Sequence, residues 1–193
     1  RAPRWAESVA CAVNGAPLAA DAARPGGAVV VRRLWKSGDT LAISMPMAWR
    51  FVRGRMVQDG RVALLRGPVL FTFSAALNAE ALKQCPNPRD LVLDPASIGA
   101  PVPDDRIRPG GQKVVVKAWT PAGRAGAPVD VVLTEFADPD GVEVYFKVPD
   151  LKDTRPVRIM DDELLSEPRK SANGVIEFAW YGPKSDAGWK NLF

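Results

Sequence analysis

The chain has 193 residues, 47% of them hydrophobic, which is enough for one large domain or two small ones built on a real core. Its 26 Lys+Arg and 22 Asp+Glu are interspersed with no basic block, the pattern of a solvated surface and not of a nucleic-acid footprint. Histidine is absent, which excludes Ser-His-Asp and Cys-His catalysis, HExxH zinc sites and Cys2His2 fingers.

The 16 glycines and 18 prolines fall between short apolar runs, as in an all-β chain. Ser8–Val13 predicts a strand, closed by an Asn-Gly turn in "VNGAP". Ala28–Trp35 predicts a second strand, with Val29, Val31, Arg33 and Trp35 on one face. "KSGD" at 36–39 then turns into Thr40–Met45, whose Leu41, Ile43 and Met45 are expected to face the core before Pro46 ends the strand. Trp49–Arg53 and Arg61–Leu65 flank a "QDG" hairpin turn, and Val69–Phe73 follows. Ala75–Gln84 predicts a short helix stopped by Pro86 and Pro88. The stretch Pro86–Gly111 contains "PNP", "DP", "PVP" and "RPGG"; each proline removes a ladder donor, so this segment should wrap the surface. Lys113–Trp119 and Val129–Thr134 come next, then a hairpin turn at "DPDG" and a strand over Glu143–Val148. A helical turn at Asp161–Leu165 and a strand at Val175–Tyr181 complete the series. The sum predicts an antiparallel β-sandwich, jelly-roll-like, over residues 1–150, as one sandwich or as two split near 86–111. Residues 151–193 form an extension packed on it.

Arg33 could bind a carboxylate or stack on a sugar-bearing surface, or else pair with a carboxylate of the protein or stack on an aromatic ring at the edge of the core. Six tryptophans could fill a core or expose flat faces to sugars, and Trp180, Tyr181 and Trp189 are the carbohydrate-binding candidates. The acids of "PDD" at 103–105 and "MDDE" at 160–163 sit on segments that read as surface turns, not as the converging pair that glycoside hydrolysis requires. Asp138 and Asp140 offer too few oxygens for calcium and read as turn caps. Cys11 and Cys85 read as two free buried thiols. No run of about 18 apolar residues is present to span a bilayer, so neither membrane nor nucleic acid is an expected partner.

Three stretches in order carry a family likeness. "RAPRWAESVACAVNGAPL", "GGAVVVRRLWKSGDTLAISMPM" and "GRVALLRGPVLF" resemble the C-terminal β-sandwich region of glycoside hydrolase family 127, the β-L-arabinofuranosidase-like proteins. The likeness covers residues 1–75 and marks Arg33, Trp35, Gly38, Asp39, Arg66, Gly67 and Pro68 as a structural signature. "VVLTEFADPDGVEVYFKVPD" matches less closely, as in a divergent branch. The resemblance implies a zinc-bound cysteine nucleophile in an (α/α)6 barrel preceding this region, so no catalytic residue and no cofactor are expected in this chain. It further implies that the chain, which opens on Arg1 without a Met, is a piece of a longer protein. Its expected partners are that missing N-terminal barrel and a second copy of itself, through an apolar patch including Met47, Phe71 and Phe73. The expected role is non-catalytic bracing, with polysaccharide binding as the alternative.

Overall fold

The computed structural model describes residues 1–19, 26–121, 126–151 and 158–160. Among them are thirteen strands and one α-helix, an all-β architecture with antiparallel pairing dominant. The chain divides into two units, one formed by Arg1–Trp49 with Arg66–Pro68, the other by Arg50–Leu65 with Val69–Phe193. The proline-rich stretch 86–111 lies wholly within the second unit.

In the first unit, β1 (Ala10–Val13) is flanked by β2 (Ala16–Pro17) and β3 (Leu41–Ser44), both antiparallel to it. Asn14 and Gly15, at φ 50° and 79°, make the expected turn between β1 and β2; two successive positive φ values match the right-handed strand twist. The expected strand Ala28–Trp35 does not form. Both edges of β1 are already taken by β2 and β3, so its β-branched residues find no ladder there. Only its start is packed: Val29 lies on a cluster of Ala2, Ala6, Val9 and Cys11, while Val30 and Leu34 are exposed. The expectation for Leu41, Ile43 and Met45 also needs correction. Register places Leu41 opposite Val13 and Ile43 opposite Cys11, on the buried face of β1, yet Leu41 is 44%, Ile43 55% and Met45 38% exposed. The side chains point the predicted way, but among the described residues no core covers them.

The second unit carries a curled sheet. Its strands are β4 (Trp49–Arg53), β5 (Val62–Arg66), β6 (Val69–Ser74), β7 (Val92–Leu93), β8 (Val102–Pro103), β9 (Gln112–Trp119), β10 (Val129–Glu135), β11 (Gly141–Glu143), β12 (Tyr145–Phe146) and β13 (Arg158–Met160). The order is β13-β4-β5-β6-β10-β9-β7, with β8 on β9, β11 on β6 and β12 on β5; β13 runs parallel to β4. Strand β9 alternates cleanly, with Val114, Val116 and Ala118 inward and Val115 and Lys117 outward. Across it, Val131 and Leu133 of β10 are wholly buried, as are Phe51, Leu64 and Phe146. Phe71 and Phe73 belong to this core, at 1% and 0% exposure, and not to an external patch; Met47 alone of the three expected residues is exposed.

Two further expectations are revised. "DPDG" is not a hairpin: β10 and β11 each pair antiparallel with β6, so the turn joins two strands that run the same way and are not each other's partners. The single strand Glu143–Val148 is divided at Val144, because the Glu143 carboxylate accepts from the backbone N–H groups of Val144 and Tyr145 at 2.9 and 2.8 Å and bends the chain from β6 toward β5. The helix forms as α1 (Ala79–Gln84), and the proline-rich stretch contributes only two-residue strands and single turns.

Candidate functional site

Arg33 and Asp39 of the signature meet with Asn14 and Lys36 at one carboxylate. The "KSGD" turn, with Gly38 at φ 89°, presents Asp39 to three donors. Asn14 Nδ2 donates to Asp39 Oδ1 at 2.7 Å, the Lys36 N–H to Oδ2 at 2.9 Å, and Arg33 Nη2 lies 3.1 Å from Oδ2. The hydrogen bond from Asn14, then that from Lys36, hold the Asp39 carboxyl below the usual carboxylate range. Asn14 reciprocates, its Oδ1 accepting from the Thr40 N–H at 2.8 Å. The Asn-Gly turn and the "KSGD" turn are thereby joined at the start of β3. The Arg33 guanidinium, besides pairing with Asp39, lies 5.2 Å from the Trp35 ring centroid, although neither Arg33 nor Trp35 is on a strand. Arg66 repeats the arrangement over Trp49, at 5.8 Å. Gly67 adopts φ 54°, donates its N–H to the Ala48 carbonyl at 3.4 Å, and is packed so that a Cβ would lie 2.7 Å from Met47 Sδ. Pro68 completes that turn between β5 and β6.

A second cluster gathers three buried acids. Asp104, expected on a surface turn, is buried; its carboxylate accepts from Arg106 Nε at 2.9 Å and Nη2 at 2.7 Å. Arg106 Nη2 also lies 3.8 Å from Asp138 Oδ2. Asp138 caps its turn, accepting from the Asp140 N–H at 2.9 Å and the Thr134 hydroxyl at 2.8 Å. Glu135 binds Arg108 through two bonds, from Nε at 2.6 Å and Nη2 at 2.7 Å, and accepts from the Gln112 N–H at 3.1 Å. These pairs fasten the 104–111 loop to β10 and its following turn. The hydrogen bond from Arg106 is the main cause that lowers the Asp104 carboxyl. At Asp138 burial pulls upward, but the Asp140 and Thr134 bonds and the Arg106 charge outweigh it, so that carboxyl is lowered too. Depressed acids stabilise the fold above their unfolded pKa, about 3.9, and lose that contribution as pH falls through the lower folded value. The expected result is a thermal midpoint independent of these groups from pH 7 to about 5 and falling below about pH 4. In Asp138→Asn the acid limb should be shallower than in the wild-type chain. An identical acid limb in both proteins would contradict the assignment.

Residues 1–47 match the family model described as the beta-L-arabinofuranosidase, GH127 middle domain. That segment is GH127-like. That model is of a middle domain, whereas the motifs alone suggest the C-terminal region. A GH127 beta-L-arabinofuranosidase from Geobacillus stearothermophilus T6 superposes with a TM-score of 0.58 at 21% identity, over 77% of this chain and 26% of that one. A second GH127 beta-arabinofuranosidase gives a TM-score of 0.52 at 18% identity, over 80% and 24% respectively. At these identities the likeness establishes the fold, and the chain spans about a quarter of the length of the structures it matches. No curated protein matches the sequence.

Within the GH127-like segment lie Arg33, Trp35, Gly38 and Asp39, whereas Arg66, Gly67 and Pro68 fall beyond it. Trp180, Tyr181 and Trp189, the acids at 161–163, the helical turn at Asp161–Leu165 and the strand at Val175–Tyr181 lie outside the described residues. Cys11 and Cys85 are free and buried, and Cys85 Sγ donates to the Asn87 carbonyl at 3.1 Å. Burial, followed by the Asp90 charge, raises the Cys85 thiol, the reverse of what a thiolate ligand needs. No group of three or more His, Cys, Asp or Glu side chains is placed to hold a metal ion among the described residues.

Proposed function

We propose that this chain is a non-catalytic, architectural β-domain of a GH127-like glycoside hydrolase, bracing a helical catalytic barrel supplied by the rest of that polypeptide. The observation that carries this reading is where the polar groups are spent. Arg33, Asp39 and Asn14 bind one another, and the buried acids Asp104, Glu135 and Asp138 are consumed by arginines and backbone donors. A general acid or nucleophile needs its carboxyl free to meet substrate across a cleft. Carboxylates locked in this way instead fix loop positions, which suits a scaffold. The match of residues 1–47 to a GH127 middle domain supports the assignment to a glycoside hydrolase.

Two measurements on the 193-residue chain test the proposal. Incubation with an arabinofuranosyl substrate should release no sugar, and calorimetric titration with arabinan and other plant polysaccharides should give no saturable heat. Sugar release would overturn the non-catalytic assignment. A micromolar isotherm would replace bracing with carbohydrate binding.

A further inference from the structure

Asn14 and Gly15 form the exposed turn between β1 and β2. Asparagine is chemically labile, most of all before glycine. The glycine nitrogen, once it gives up its proton to hydroxide, attacks the asparagine Cγ; the new C–N bond closes a succinimide, the Cγ–Nδ2 bond breaks, and ammonia leaves with a proton taken from water. A water molecule then opens the ring, at one carbonyl to aspartate and at the other to isoaspartate. Glycine favours the attack because no side chain shields its nitrogen, and here even a Cβ on Gly15 would meet nothing within 4 Å, so solvent reaches the turn. The amide itself is engaged. Nδ2 of Asn14 donates to Asp39 Oδ1 at 2.7 Å, while its Oδ1 accepts from the Thr40 N–H at 2.8 Å and from the Thr40 hydroxyl at 3.4 Å. Carrying Cγ onto the Gly15 nitrogen turns the amide away from β3 and breaks these bonds.

We infer that Asn14 is a deamidation site which Asp39 and Thr40 hold closed, and that loss of its amide unlocks the joint between the Asn-Gly turn and the start of β3. The product replaces the Nδ2 donor by a carboxylate oxygen at the 2.7 Å contact with Asp39 Oδ1. Two carboxylates do not share such a contact without a proton between them, and Arg33, 3.1 Å from Asp39 Oδ2, sets one positive charge against two negative ones. Isoaspartate is more disruptive still, because it adds a methylene to the main chain inside the two-residue turn that sets Val13 opposite Ala16. Nothing in the chemistry regenerates the amide. Unlocked molecules therefore accumulate with age, and the Asn14 contact sets how fast.

Ageing the 193-residue chain in mildly alkaline buffer, with peptide mapping of the aspartate and isoaspartate products, tests the first half. Mapping separates Asn14 from the second Asn-Gly pair at Asn173, which lies outside the described residues. Asn14 should deamidate at least about tenfold more slowly in the folded chain than in urea, because local opening must precede the attack, and Asp39→Ala should lose most of that protection while keeping its folded tryptophan fluorescence. Equal rates in buffer and urea would overturn the inference, as would an Asp39→Ala chain as slow as the wild type. Hydrogen exchange at the Thr40 amide tests the second half, and serves if Asp39→Ala does not fold. Asn14→Asp, the product itself, should speed that exchange about tenfold. Combining it with Asp39→Asn exchanges donor and acceptor across the same contact and still offers the Lys36 N–H an oxygen, so exchange should return to within about threefold of the wild type. Unchanged exchange in the single variant, or no recovery in the double one, would show that the facing carboxylates do not open the joint. None of these outcomes bears on sugar release or polysaccharide heat, so the inference and the proposed function fail separately.

Discussion

Replacing Asn78 by alanine is expected to destabilise the second unit by about 3 kcal/mol, among the largest effects available to a single polar truncation in this chain. Asn78 is 3% exposed and precedes α1, the position of a helix cap, but its side chain makes no capping bond. Its amide is used on the sheet instead. Nδ2 donates to the Ser74 carbonyl at 2.7 Å and to the Val132 carbonyl at 2.7 Å, and Oδ1 accepts from the Val132 N–H at 2.7 Å. The side chain therefore imitates one more residue of β6 and continues its ladder with β10. Truncation removes three bonds and leaves the Val132 donor and acceptor facing a void, each unmet group costing about 1–3 kcal/mol less what relaxation recovers. Urea unfolding followed by tryptophan fluorescence should show a lower midpoint at unchanged m. Asn78→Asp keeps the acceptor and loses both donors while burying a charge, so it should be no better than alanine. A loss below about 1 kcal/mol for Asn78→Ala would mean that β10 does not depend on this amide.

What was legible in the sequence was local. The Asn-Gly turn, the "QDG" connection between β4 and β5, the alternation of β9 and the helix ended by Pro86 all follow from backbone preferences carried by the residues themselves. The failures are places where a neighbour decides. Ala28–Trp35 has the composition of a strand, but β1 is paired on both sides and the segment does not join the outer side of β3. "DPDG" has the chemistry of a hairpin turn, yet β6 holds both strands it connects, and nothing in four residues announces a third strand between them. Asp104 read as a surface acid because its neutralising partner is two residues away; a carboxylate two positions from an arginine can be buried only if the fold closes over the pair. That spacing in "DDRIR" was the available signal. Asn78 and Glu135 gave none, because their partners Val132 and Arg108 are remote in sequence. The family likeness, by contrast, rested on motif order, and order survives even where the strand assignment inside a motif does not.

Gly54→Ala should be comparably damaging, at about 3 kcal/mol, for a reason visible only in three dimensions. Gly54 follows β4, is buried, and donates its N–H to the Arg61 carbonyl at 2.8 Å, closing the connection to β5. Inside that closure the 56–58 turn doubles back, and a Cβ on residue 54 would strike the Gln58 carbonyl oxygen and lie 2.6 Å from the Gln58 Cβ. A flexible side-chain tip could swing aside, but a carbonyl oxygen moves only with its backbone. Accommodating the methyl therefore means opening the 54–61 loop and stretching the Gly54 to Arg61 hydrogen bond, together with the Arg61 N–H bond to the Gln58 carbonyl at 3.1 Å. Both are short-range links, so amide exchange at Gly54 and Arg61 should accelerate well before the whole unit melts. Gly60→Ala in the same loop supplies the internal control. A Cβ there meets nothing within 4 Å, and its only penalty is the positive φ of 79°, about 1 kcal/mol. If the two substitutions cost the same, the close approach of Gln58 to Gly54 is not what selects glycine at that position.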